Sequence, residues 1–231
     1  MKTLMKAQDL RPCLALAAPV MLAYISIGIP CGVMEAQIGL TPLMAFLFSA
    51  TYYSGAGQFM VSGMWLSGVP VASIFLSVSL VTSRQLLYSA AFAPYVGRER
   101  RRKALAFAAL VTDETFGVNL DRFSSRTGWD LAHAQTVNVV CMLSWAVANC
   151  LGAALGTVLD LPIDVMSFGM TAIFICLLVG QLTDAVTGCA AAVAAVTVAL
   201  CKLLGLDGPA IFVGALAGVA SGVIMGEVRT R

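Results

Sequence analysis

Apolar stretches about twenty residues long recur from one end of this chain to the other, and they leave few folds open to it. Hydropathy divides the sequence into segments of roughly 13–34, 42–66, 69–93, 104–120, 134–158, 164–181, 185–204 and 209–227. Wound as helices, segments of this length match the hydrocarbon thickness of a bilayer. Of the 231 residues, 59% are hydrophobic and 11% charged, more apolar side chain than a soluble domain of this size can hide. No segment alternates polar with apolar residues as a half-buried strand would. The chain is therefore predicted to be all-α, a polytopic membrane helix bundle with about seven to eight hydrophobic segments. It is read as a single integral membrane domain over residues 1–231, set in a lipid bilayer. Lys2, Lys6 and Arg11 precede an apolar run to about Val33, too long for a signal peptide, so this run is expected to be a retained first helix.

A polar, glycine-rich break, Tyr53-Ser54-Gly55-Ala56-Gly57-Gln58-Phe59, lies near the middle of the 42–66 segment. A span there would cross the bilayer centre, where unsatisfied backbone groups cannot be left to lipid. Irregular backbone at that depth must face protein or a water-filled cavity, and broken helices of this kind frame the substrate sites of secondary transporters. Gly28-Ile29-Pro30-Cys31-Gly32 carries a second signal, because Pro30 removes a backbone donor and the glycines loosen the same stretch. Discontinuous or re-entrant helices are thus expected near 28–32 and 54–58. Linkers are short: Glu35 to Thr41 with Gly39, a turn at Asp160 to Asp164, and another at Gly205 to Pro209.

Basic residues cluster at the N-terminus, at Arg98 to Lys103, at Arg122 and Arg126, and at Arg229 and Arg231. The positive-inside rule would put all four clusters in the cytoplasm. The last four segments then cross cleanly, but three apolar segments separate the first two clusters and break parity. Either 104–120 and one early segment, with 42–66 the natural suspect, are not simple spans, or the N-terminus lies outside.

Ionisable residues inside apolar segments mark function or internal pairing. Ser73, Ser77, Arg84 and Tyr88 recur at spacings of four, seven and four, one helical face of the 69–93 segment. Arg84 reads either as a carboxylate-binding or gating cation facing a cavity, or as an arginine reaching the interface from a helix end. Thr112-Asp113-Glu114-Thr115-Phe116 offers a comparable pair of readings. Adjacent carboxylates suit proton coupling, whereas Thr112 can cap a helix with Asp113 and Glu114 in its first turn, or the acids can pair with Arg84, Arg122 or Arg126. Asn138, Trp145 and Asn149 share a helical face and either line a pathway or bond neighbouring helices. Gln181, Thr183 and Asp184 sit at a short helix-to-helix turn and are read as a cap, and His133, the single histidine, lies at a segment edge and is read as facing the interface rather than a proton path. Gly214, Gly218, Gly222 and Gly226 make a smooth ridge for close helix approach, within the chain or with a partner.

The seven cysteines are scattered without a CxxC pair and are expected to be reduced, buried small hydrophobes. There is no HExxH, no GxxxxGK[ST] and no GxGxxG. No enzymatic activity, cofactor, metal or nucleic-acid partner is expected, and an ion gradient is the simpler energy source. A channel or facilitator for another small solute is the alternative to a carrier, and a non-transporting scaffold is a third class.

Three motifs in order and spacing, Tyr53-Ser54-Gly55-Ala56-Gly57-Gln58-Phe59, Arg84-Gln85-Leu86-Leu87-Tyr88 and Thr112-Asp113-Glu114-Thr115-Phe116, resemble the AzlC-type large subunit of branched-chain amino acid exporters (LIV-E family permeases). The resemblance runs over roughly residues 14–226. The family pattern is similar to YxGASQF, so Gly57 stands where serine is usual and Ser54 where alanine is, while Ser83 and Gln85 flank the arginine in place of Asn or Asp and His. The resemblance implies export of branched-chain or similar apolar amino acids across a bacterial inner membrane, by exchange against protons, with a small hydrophobic AzlD-type subunit as partner. On this reading Tyr53, Ser54, Gly55, Gly57, Gln58, Arg84, Tyr88 and Asn138 form the substrate site, Asp113 and Glu114 couple protons, and the change at Gly57 bears on substrate identity.

Overall fold

The computed structural model describes residues 7–97, 99–125, 128–159, 182–206 and 210–230, with scattered positions between 168 and 180. Its helices are α1 (Ala7–Gln37), α2 (Pro42–Thr51), α3 (Gly55–Leu66), α4 (Val71–Thr82), α5 (Arg84–Ala91), α6 (Ala93–Val96), α7 (Arg101–Ala108), α8 (Asp113–Ser124), α9 (Leu131–Val158), α10 (Ala185–Leu203) and α11 (Ala210–Thr230), and no strand occurs among the described residues. Among the described residues, four stretches are long and apolar enough to cross a membrane: Leu10–Gln37, Val71–Ala91, Leu131–Val158 and Ala185–Leu203. The chain is a multi-pass, all-α membrane protein. The turn at Asp160 to Asp164, most of the 164–181 segment, and Lys2, Lys6, Arg98, Arg126, Gln181 and Arg231 lie outside the described residues.

The molecule is organised on α1 and α9, which pack along their lengths. Glycines make this possible. A Cβ at Gly32 would overlap the Asn149 carbonyl oxygen, and one at Gly152 would overlap the Ile29 carbonyl oxygen. A Cβ at Gly28 would lie 2.7 Å from Ala148 Cβ. Backbone thus meets backbone, as small residues allow between helices in lipid.

This geometry corrects the discontinuity expected at 28–32. α1 runs unbroken through Pro12, Pro19 and Pro30. Pro30 removes one ladder hydrogen bond, but the helix continues because Gly28 and Gly32 are occupied by close contact with α9 rather than by a change of backbone direction. The linker expected from Glu35 is likewise shorter, since Glu35 to Gln37 are helical. The helix ends at Gly39, whose φ of 90° lets the Leu40 amide donate to the Glu35 carbonyl (3.1 Å) and the Gly39 amide to the Ala36 carbonyl (3.0 Å). α10 ends by the same motif at Gly205, inside the turn expected there.

Two segments that disturb the charge parity are both divided. The 42–66 segment becomes α2 and α3, interrupted at Tyr52 to Ser54, slightly earlier than the expected 54–58. The 104–120 segment becomes parts of α7 and α8, each too short to span. The 69–93 segment is divided into α4 and α5 at Ser83, whose own backbone stays helical (φ −57°, ψ −26°), so Val71–Ala91 remains one candidate span although Ser77 and Arg84 belong to different helices. The glycine ridge of α11 faces α10: a Cβ at Gly218 would lie 3.0 Å from the Ala190 carbonyl and Ala194 Cβ, and Gly214 abuts Val198.

Candidate functional site

The break between α2 and α3 is held open by its own side chains. α2 closes when the Tyr52 amide donates to the Phe48 carbonyl at 2.7 Å. α3 starts at Ser54, an extended residue (φ −149°, ψ 97°) whose Oγ accepts from the Gly57 amide at 3.4 Å. Gln58 fastens both halves to α9. Its Nε2 donates to Ser49 Oγ (3.2 Å) and to the Tyr52 carbonyl (3.1 Å), and its Oε1 accepts from Trp145 Nε1 (2.6 Å).

Beside this break is a cavity of about 60 Å³ lined by residues from five places in the chain. Tyr53, Ser54, Gly55 and Ala56 come from the break, Tyr24 and Ile27 from the middle of α1, and Trp145 from α9. Arg84 and Gln85 enter from the first turn of α5, and Thr112, Asp113 and Glu114 from the start of α8. The first amides of α3 have no partner within the helix, so its positive end faces the cavity at Gly55 and Ala56. A Cβ at Gly55 would lie 3.1 Å from the Trp145 ring, so a larger residue there would push on the cavity wall.

The charges form one network. Arg84 Nη2 stands 2.7 Å from Asp113 Oδ2, with both side chains about a quarter exposed. Tyr24 Oη donates to Glu114 Oε2 at 2.7 Å and lies 2.7 Å from Thr112 Oγ1. Thr112 caps α8 in a reciprocal pair with Thr115, placing Asp113 and Glu114 in the first turn, where the helix dipole favours negative charge. The cap, the ion pair and the cavity-lining role are therefore properties of the same residues. Gln85 Nε2 donates to the Tyr53 carbonyl at 3.4 Å, tying α5 to the break. Tyr24 also meets Tyr53 and Trp145 edge-on, at centroid distances of 6.2 and 5.4 Å.

Of the residues expected at the site, Tyr53, Ser54, Gly55, Arg84, Asp113 and Glu114 line the cavity, and Gly57, Gln58, Tyr88 and Asn138 do not. Gly57 turns its bare face to Tyr52, whose phenol oxygen a Cβ there would overlap. Tyr88 stacks on Phe116 at 4.7 Å, and Asn138 accepts from Asn119 Nδ2 at 2.8 Å in a fully buried pair. Tyr24, Ile27, Ala56, Gln85 and Thr112 join the site without having been assigned to it from sequence, and Trp145, read there as lining a pathway or bonding neighbouring helices, both forms its wall and bonds Gln58. A tyrosine in mid-segment was the available signal for Tyr24. Away from the cavity, His133 Nδ1 lies 2.6 Å from Asp130 Oδ1 at the start of α9. Partial burial opposes ionisation of Asp130, but the His133 amide and imidazole outweigh it and hold its pKa below the ordinary carboxylate range. Among the described residues no group of three or more His, Cys, Asp or Glu side chains is placed to hold a metal ion.

With one guanidinium, two carboxylates, hydroxyls and an aromatic wall, the cavity can receive a zwitterion. A family profile described as AzlC protein matches residues 19–159. An uncharacterized membrane protein of Archaeoglobus fulgidus is 28% identical over 224 residues, 94% of this chain and 96% of that protein. The branched-chain amino acid transport protein AzlC of Bacillus subtilis is 23% identical over 168 residues, 71% of this chain and 64% of that protein. An uncharacterized membrane protein of Haemophilus influenzae is 23% identical over 167 residues, 69% and 65% of the two chains. The chain thus spans just under two thirds of the Bacillus and Haemophilus proteins. No solved structure matches it.

Proposed function

Because the chain belongs to the AzlC protein family, we propose that it is the large subunit of a secondary exporter for branched-chain or similar apolar amino acids, coupled to protons and working in a bacterial inner membrane. The similar Bacillus protein is named for branched-chain amino acid transport. The observation that carries the proposal is the convergence of the broken span, Arg84 and the Asp113–Glu114 pair on one cavity. The substrate carboxylate is held by Arg84, which has donors beyond the one facing Asp113, and by the free amides at the start of α3. The substrate ammonium is held by Asp113 and Glu114, and Ile27 and Trp145 supply apolar wall.

Those carboxylates also explain exchange. Each accepts either a proton or the ammonium, so proton and substrate exclude one another at the same oxygens. The present cavity is several times the roughly 10–15 Å³ one water requires, so it takes small polar groups and must open further for a branched side chain. A small hydrophobic AzlD-type subunit completes the transporter, and residues 1–231 act as one transport domain.

Counterflow in proteoliposomes containing the chain and its small subunit tests this reading. Labelled leucine is expected to enter faster when vesicles are loaded with unlabelled leucine. Equal rates into loaded and empty vesicles would point to a pore or facilitator instead. Arg84→Ala should slow exchange by about tenfold or more, the equivalent of one charge-assisted hydrogen bond, and unchanged exchange would remove Arg84 from the site.

A further inference from the structure

Glu35 lies eleven residues beyond Tyr24 along α1, about 16 Å by helical rise, and is 0% exposed. Its Oε1 receives a weak bond from Cys31 Sγ at 3.8 Å, and its Oε2 has no hydrogen-bond partner among the described residues. The backbone that carries it is held, because the closure of α1 at Gly39 uses the Glu35 carbonyl.

Among the described residues no cation is placed against it. α2 and α3 carry no ionisable side chain, and α9 from Asn149 to Val158 contributes only Cys150. α8 brings Asp113, Glu114, Asp121 and Arg122, but it meets α1 around Tyr24. A metal ion is also a poor occupant, since among the described residues no cluster of three ligating side chains forms. An ionised carboxylate enclosed without a counter-charge is far costlier than a neutral acid with one unmet hydrogen bond. Asp113 faces Arg84 and Glu114 faces Tyr24, so both cavity acids have partners that Glu35 lacks.

We propose that Glu35 is a proton-binding site separate from the cavity, and that it carries a proton during exchange. The first half stands on the burial and isolation of the carboxyl; the second rests on the exporter reading above. The proton binds Glu35 Oε2 from the aqueous side on which that end of α1 opens and leaves to the other side when the transporter turns over, with no bond broken but O–H.

Infrared difference spectroscopy of the protein in lipid vesicles tests the site without transport. The wild type should show the stretching band of a protonated carboxyl, shifted in heavy water. Glu35→Gln should lose that band, and Asp113→Asn should retain it. A full band in Glu35→Gln, or none in the wild type, would overturn the site. Should Glu35→Gln not fold, Cys31→Ala serves, since loss of the thiol donor must move the band and an unmoved band counts against Glu35. In vesicles, Glu35→Gln should keep leucine counterflow and lose flux driven by a pH gradient by about tenfold. Undiminished gradient-driven flux would overturn the coupling role, whereas absent counterflow in the wild type would overturn the exporter reading and leave the infrared result to decide the proton site.

Discussion

Gln58 shows how much a single polar side chain can decide inside this bundle. It is fully buried and makes hydrogen bonds to α2, to the break and to α9 at once. Gln58→Leu keeps most of the volume but leaves the Trp145 N–H without its partner, at about 1–3 kcal/mol, and takes one of two donors from the Tyr52 carbonyl, which keeps the Ser54 amide. Thermal unfolding in detergent should show a clearly lowered melting temperature for this variant, and a melting temperature equal to wild type would mean that the bridge is not structural. Sequence placed Gln58 correctly beside the break but could not say which way its amide points. The same limit applies to Gly57, whose missing side chain makes room for Tyr52 and is turned away from the cavity. Glu35 escaped notice for another reason: hydropathy ended the first segment at 34, so a buried helical carboxyl was read as part of a linker. Arg84 and Asp113 were legible because charged groups inside apolar segments are rare enough to attract attention singly, and their pairing was among the readings open from the start.

Helices tell a similar story through their glycines. In α11 a glycine at every fourth residue announces a packing ridge, and α10 fills it. In α1 the same residue type at the same spacing, with Pro30 between, was read as a weak point, because proline chemistry and small-residue packing leave the same mark on a sequence. Contact with α9 selects packing. Gly32→Ala and Gly152→Ala should therefore be as damaging as overpacked core substitutions, about 1–3 kcal/mol each, and should lower the yield of folded protein in detergent. Gly226→Ala, where an added Cβ meets nothing, is the matched control and should behave as wild type. Equal loss in all three would argue against a close seam. The polar breaks in 42–66 and 104–120 were visible in sequence because each falls in mid-segment; the division at Ser83 was not, since serine occurs freely in helices and its backbone there stays helical.

At the scale of the molecule, the long helices and the short ones have different tasks. α1 and α9 make the central seam, while the cavity is finished by the ends of α3, α5 and α8. α5 has no buried residue, whereas α9 buries a row of them from Leu131 to Ala153. Hydrogen exchange in detergent should accordingly be slowest at the centre of α9 and faster across Arg84–Ala91, where local opening exposes little core. The reverse order would place the stable core elsewhere. Class and bundle character followed from hydropathy alone, because the bilayer dictates them. The cavity did not, because it depends on residues as far apart in sequence as Tyr24 and Trp145.

Around Gly32 and Gly152, where one helix's carbonyls rest in the other's glycines, the seam has no layer of side chains that could slide or change rotamer. α1 and α9 are thus fixed like a stator, and displacement between them would break many contacts together. In the exporter proposed above, opening and closing falls to the half-helices, whose ends carry Ser54, Arg84 and Asp113. The moving parts of that machine are its shortest ones, and the groups proposed to hold the ligand ride on them.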